Sequence, residues 1–206
     1  TITVASVSAS DTISSFSTPG AAILVAAYGE NILTTDRLGS DGLNWSSGDA
    51  GDYVNFGGTS AAAPEVSAII ALMLEANSNL GYRDIQTILA HSTRHPDSAS
   101  WKQNTAVNHN LSGHFYNDDM GFGIIDGFAA VRLAETWQDS KTAHNEVFTG
   151  ARLFDITSVI PDADENGYLA EFEINSDLIV EHAELGIDLR HSRLGDLQIE
   201  LVSPNG

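Results

Sequence analysis

The sequence predicts an α/β domain, a parallel sheet with helices on both faces, followed by an incomplete all-β sandwich. Three observations predict it. Short, strongly apolar segments recur near the start, a nearly uninterrupted apolar helix follows the Gly57-Gly58 turn, and after residue 147 the chain changes to short alternating segments between turn residues. Apolar runs bounded by turns suit strands covered on both faces. Short strands at regular spacing suit a sandwich.

Residues 2–7, 21–27 (around Ile23-Leu24-Val25) and 32–35 read as the strands. Residues 37–58 are rich in Gly, Ser and Asp and read as one long loop. In 61–76 the charges are Glu65 and Glu75 alone, and Val66, Ile69, Ile70, Leu72, Met73 and Leu74 leave no polar face. Burial on nearly all sides is therefore expected. With Ser60 at the cap, Pro64 falls on the fourth helical position, where a missing N–H has no intrahelical acceptor to lose.

Residues 82–93 place Ile85, Ile88 and Leu89 at helical spacing, giving an amphipathic surface helix. Residues 95–118 read as irregular, and 128–137 as a last helix with Val131, Leu133 and Ala134 inward. The polar stretch that follows divides the chain into a domain at 1–140, a linker at 141–146 and a second domain at 147–206. Strands are expected there at 153–156, 169–174, 183–189 and 197–202.

The 206 residues are 42% hydrophobic, enough for a core, and carry 28 Asp+Glu against 9 Lys+Arg, a formal charge of -19. Such a balance opposes nucleic-acid binding, because phosphate contacts need a basic face. It serves solubility, or steers cationic substrates. Cysteine is absent, so no disulfide frame or thiol chemistry is available. The longest apolar stretch, 69–74, is far short of a bilayer span.

Ser60 carries the chemistry. Between the glycine turn and the helix start its hydroxyl can project while its own N–H points at a bound carbonyl oxygen, an arrangement suited to acyl transfer. Gly57 and Gly58 allow positive φ and close substrate approach. Thr59 either fixes the turn or lends a hydroxyl near the oxyanion.

The stretch from Phe56 through Gly58-Thr59-Ser60-Ala61-Ala62-Ala63-Pro64 resembles the nucleophile motif of subtilisin-like serine proteases, in its kexin or proprotein-convertase form. Ala71-Leu72-Met73-Leu74-Glu75-Ala76-Asn77, Leu80-Gly81-Tyr82-Arg83-Asp84-Ile85-Gln86 and Met120-Gly121-Phe122-Gly123-Ile124-Ile125-Asp126 continue the similarity in order. Ile160-Pro161-Asp162, Gly195-Asp196-Leu197 and Leu201-Val202-Ser203-Pro204-Asn205-Gly206 resemble the opening of the P domain of that branch. The resemblance implies a serine endopeptidase with Ser60 as nucleophile, a protein or peptide as substrate, bound calcium and secretion. Without cysteine and with an acidic surface, a bacterial source is expected.

In the family's order the Asp and His precede the Ser, yet His91, His95, His109, His114, His144, His182 and His191 all follow Ser60. The base, its aspartate and the oxyanion amide are thus expected upstream of Thr1, and the chain as given is expected to be inactive. In animal convertases the residue matching Thr18 is a glutamate that helps hold calcium under a basic-residue pocket. Thr18 cannot supply that charge. Asp162-Ala163-Asp164-Glu165-Asn166-Gly167, with Glu173, fits the pattern of an EF-hand loop, but its flanks read as strands. Asp162 and Asp164 are the metal candidates, beside the simpler reading of an acidic turn. The rivals to an enzyme are a catalytically silent homologue serving as a binding or adhesion module and a bare anion site at the helix start.

Overall fold

The computed structural model describes residues 1–43, 53–103, 113–150, 159–161, 164, 167–178 and 180–203. It divides into two units, Thr1–Asn145 and Glu146–Gly206.

In the first unit, β1 (Thr3–Val7), β2 (Ile23–Tyr28), β5 (Thr93–Arg94) and β8 (Ile124–Ile125) form a sheet of order β1-β2-β8-β5. β1 pairs with β2, and β2 with β8, in parallel, while β5 runs antiparallel to β8. Alternation along the strands splits the core in two. Val25, Ala27 and Ile125 pack against α1 (Thr59–Ala76), α2 (Tyr82–His91) and α3 (Gly127–Thr136) through Ala62, Val66, Met73, Ile88, Leu89, Ala130 and Ala134. Ala5, Val7, Ala26 and Ile124 face the other way, onto Met120, Ile13 and Trp101. The α/β class is the one the sequence predicts; of the helices expected on both faces, α1, α2 and α3 pack on one among the described residues, and loop side chains such as Met120, Ile13 and Trp101 close the other.

β4 (Tyr53–Phe56) pairs antiparallel with β3 (Ile32–Thr35), and β6 (Lys102–Gln103) with β7 (Phe115–Tyr116). These two further pairs draw in segments that the sequence reads as loop or irregular, β4, β6 and β7, while β3 falls where a strand is expected. Asp84 is fully buried and joins α2 to the chain beyond α3. Its carboxylate accepts the N–H of Gly81 at 2.8 Å, the N–H of Lys141 at 2.8 Å and the Trp137 Nε1–H at 3.0 Å.

Two expectations are corrected. α1 is not buried all round: Ala61, Ala62, Val66 and Met73 are buried, while Leu72 is 52% and Leu74 38% exposed, so among the described residues only one stripe has something to pack on. By length and composition alone α1 is apolar enough to cross a membrane, a test that core helices also pass, and its buried stripe packs on the sheet. Second, α1 starts at Thr59 with Gly58 as its cap, so Ser60 is the second helical residue and Pro64, counting from Thr59, the sixth. Pro64 is therefore inside the helix and offers the Ser60 carbonyl no N–H.

In the second unit, residues 169–174, 183–189 and 197–202 form no strand, contrary to the sequence pattern, and the expected strand at 153–156 lies outside the described residues. Leu169, Ile174, Leu185, Ile187, Ile199, Leu201 and Val202 are exposed. A strand persists only when a neighbour completes its ladder and an opposing layer covers its apolar face, and the described residues supply neither.

Candidate active site

Gly58 decides where Ser60 stands. Its φ of 117° and ψ of 167° belong to a region that L side chains rarely adopt, and α1 begins one residue later. The Gly58 N–H donates to the Gly29 carbonyl at 2.7 Å, and the Gly29 N–H donates to the Val7 carbonyl at 3.0 Å. The turn thus hangs from the ends of β2 and β1. Gly29 makes that approach possible, since a Cβ there would stand 2.2 Å from Ser6 Oγ and 2.7 Å from the Gly58 carbonyl oxygen.

A second tie comes from the helix. Glu65 Oε2 accepts the Tyr28 N–H at 2.9 Å, joining α1 to the last residue of β2. Burial pushes the Glu65 carboxyl up, and the Tyr28 N–H offsets part of that. Tyr28 is held at its other end as well. Its hydroxyl donates to Asp11 Oδ1 at 2.7 Å, and Arg94 donates to Asp11 Oδ2 at 2.6 Å and to the Tyr28 oxygen. The hydrogen bond from Arg94, then that from Tyr28, holds the Asp11 carboxyl down at about 2.

Ser60 itself is exposed. The N–H groups of Ala61 and Ala62 turn back to the Gly58 carbonyl at 2.9 and 3.4 Å. Among the described residues the N–H groups of Thr59 and Ser60 and the Ser60 hydroxyl have no hydrogen-bond partner. A free hydroxyl therefore sits beside two unsatisfied donors at the positive end of a helix.

Beside this turn lies an open cleft of about 330 Å³, lined by Ser15, Phe16, Gly29, Glu30, Asn55 and Gly57 among others. β2 runs out into its floor, and the pairing of Leu33 with Asn55 brings the β3/β4 hairpin to its wall. The Ser17 hydroxyl accepts the Ser6 N–H at 3.1 Å, which fixes the loop that carries Phe16.

The histidines serve other ends. His95 Nε2 meets the Phe122 carbonyl at 3.0 Å, and the rings of His91 and His114 meet edge to face with centroids 4.4 Å apart. His182 lies 3.3 Å from Glu184, His191 Nδ1 lies 2.8 Å from the Arg193 carbonyl, and His144 sits in a 3-10 turn. His109 is outside the described residues. Within 1–145 no described histidine is hydrogen-bonded to Ser60. Thr18 is exposed.

Among the described residues no group of three or more His, Asp or Glu is placed to hold a metal ion. Asp162 lies outside the described residues, and the Asp164 carbonyl accepts the Gly167 N–H at 3.0 Å. Sequence reasoning missed Tyr28, Gly29 and Glu65. The available signal was Glu65, a lone charge early in an otherwise apolar helix.

Residues 1–123 match the family model described as the subtilase family. The chain belongs to the subtilase family. Residues 180–206 match the model described as the proprotein convertase P-domain. Over 154 residues the chain is 38% identical to human proprotein convertase subtilisin/kexin type 6, covering 72% of this chain and 15% of that protein. The serine protease of Aeromonas sobria is similar in structure, with a TM-score of 0.57 and 26% identity over 66% of this chain and 29% of that one. A protease of Pseudoalteromonas arctica gives a TM-score of 0.50 and 28% identity over 65% of this chain and 35% of its own. The chain thus spans well under half the length of each of these relatives.

Proposed function

We propose that Ser60 is the nucleophile of a serine endopeptidase that cuts proteins or peptides through an acyl-enzyme. The carrying observation is its setting: an exposed hydroxyl on the first turn of α1, beside the unsatisfied Thr59 and Ser60 N–H groups, on a turn bonded to the end of β2. In this reading the hydroxyl attacks the peptide carbonyl carbon and its proton passes to a histidine base. The oxygen, now negative, is met by the Ser60 N–H. The base returns the proton to the leaving amine, and water then releases the acyl group by the reverse sequence.

The base, its aspartate and the amide that completes the oxyanion site come from a segment preceding Thr1, which fits the small share of its relatives that this chain spans. Gly58 and Thr59 support the turn. Residues 147–206 are the opening of a P domain, for which the match at 180–206 is the support. Calcium and export belong to the same proposal by kinship with convertases. A bacterial source rests on composition alone, while the relative at 38% identity is a human protein.

The test is hydrolysis by the full-length protein carrying this chain, compared with its Ser60→Ala variant. Loss of at least about a thousandfold in kcat/KM is expected. Undiminished hydrolysis by the variant overturns the reading.

A further inference from the structure

The register of the sheet puts Arg94 beside the end of β2. Arg94 on β5 lies opposite Ile124 on β8, and Ile124 lies opposite Ala26 on β2, so the three side chains rise from one face. Tyr28, two residues on from Ala26, shares that face. There Arg94 Nη1 donates to Asp11 Oδ2 at 2.6 Å, and Nη2 donates to Asp11 Oδ1 at 2.9 Å and to the Tyr28 oxygen, while the Tyr28 hydroxyl donates to Asp11 Oδ1 at 2.7 Å. The edge strand, the end of β2 and the turn after β1 thus meet in one fork. Asp11 is held in its own right. It adopts φ 61°, a left-handed conformation that Asp tolerates, its N–H donates to the Ser8 carbonyl at 3.0 Å, and its carbonyl accepts the Ser98 hydroxyl.

We infer that Arg94 is a positioning residue for Ser60, acting through Asp11 and the Tyr28 hydroxyl. The inference rests on the peptidase reading and adds to it a residue outside the Ser60 turn. The relay is short. Tyr28 continues into Gly29, the Gly29 carbonyl accepts the Gly58 N–H, and Gly58 caps the helix whose second residue is Ser60. Glu65 holds Tyr28 by its N–H from α1, and the Arg94 fork holds it by its hydroxyl, so the residue is fixed at two points and the next carbonyl with it.

Stability is not what the fork supplies. With Arg94 40% and Asp11 29% exposed, solvent screens the pair and leaves it little to give the fold. What it supplies is direction, because two N–H groups of a planar guanidinium fix the carboxylate in their plane and the contact to the phenol oxygen fixes Tyr28 against both. A small displacement of a nucleophile costs rate out of proportion to the energy of the contact that prevents it. Loss of Arg94 is therefore read in turnover and not in folding.

The experiment measures kcat, KM and thermal melting of the full-length protein on one peptide substrate for Arg94→Ala, Tyr28→Phe and the double variant. Arg94→Ala is expected to lose about fivefold in kcat, a modest share of what misplacing a reacting group can cost, with KM and melting little changed. Tyr28→Phe keeps the ring, whose centroid lies 5.9 Å from the guanidinium carbon, and removes only the oxygen. It is expected to lose as much. The double variant is expected to lose about fivefold in total and not the product of the two, because Arg94 acts through the oxygen that Tyr28→Phe deletes. An unchanged kcat in Arg94→Ala, a fall matched by loss of folded protein, or losses that multiply in the double variant overturn the inference. Absence of any cleavage by wild type instead overturns the peptidase reading, and this inference falls with it.

Discussion

Residues 23–28 and residues 197–202 look alike as text: both are short, rich in Ile, Leu and Val, and bounded by turn residues. In the structure the first is β2, buried between two strands and three helices, whereas the second forms no strand and leaves Ile199, Leu201 and Val202 exposed. The difference teaches that periodicity records a capacity to pair, and that a strand forms where chain elsewhere supplies both an edge and a cover. The Ser60 turn depends on the supplied kind. It is bonded to β2, a strand whose own position is fixed from both sides.

The sharpest way to break the comparison is truncation in each unit. Met73→Ala removes a fully buried side chain and is expected to cost about 3 kcal/mol in chemical denaturation. Leu201→Ala, at a residue 58% exposed, is expected to change stability by less than about 0.5 kcal/mol. Equal effects would show that the second unit is packed like the first.

Within the first unit the contrast narrows to Glu65, which links helix to strand. Glu65→Leu leaves the Tyr28 N–H without an acceptor and is expected to lower kcat about tenfold with little change in KM. Glu65→Gln retains an acceptor oxygen and is expected to keep wild-type kcat. Its sign with pH is testable too. A carboxyl whose folded value is raised stabilises the fold only below its ordinary range and loses that contribution as pH rises, so the permanently neutral Gln is expected to be at least as stable at pH 7. A less stable Glu65→Gln protein contradicts the burial account.

The smallest effect concerns Asp11. Its carboxyl is held at about 2, so its contribution is present above its ordinary value of 3.8 and is lost as pH falls toward 2. The pair is partly exposed, with Arg94 at 40% and Asp11 at 29%, and screening keeps the contribution below about 1 kcal/mol. Arg94→Ala is expected to flatten acid-induced loss of stability between pH 4 and pH 2. An unchanged acid limb removes the clamp from the account.

What the sequence disclosed follows the same division. β1, β2 and the three helices were legible because local spacing and an inward apolar set agree, β3 was legible only from its apolar Ile32-Leu33 start since it is largely exposed, and Ser60 was legible because a glycine turn abuts α1. β4 was not, since Tyr53–Phe56 is largely exposed and owes its form to distant pairing with β3. The bare side of α1 was invisible because a helix apolar all round does not say which flank finds a partner. Glu65 matters through the Tyr28 N–H, a relation made only by folding.

The central claim is that Ser60 is a nucleophile, and covalent labelling tests it most directly. The full-length protein is treated with a serine-directed fluorophosphonate, digested and mapped. The account predicts a single modified peptide carrying the adduct on Ser60; no adduct, or an adduct on another serine with Ser60 untouched, contradicts it.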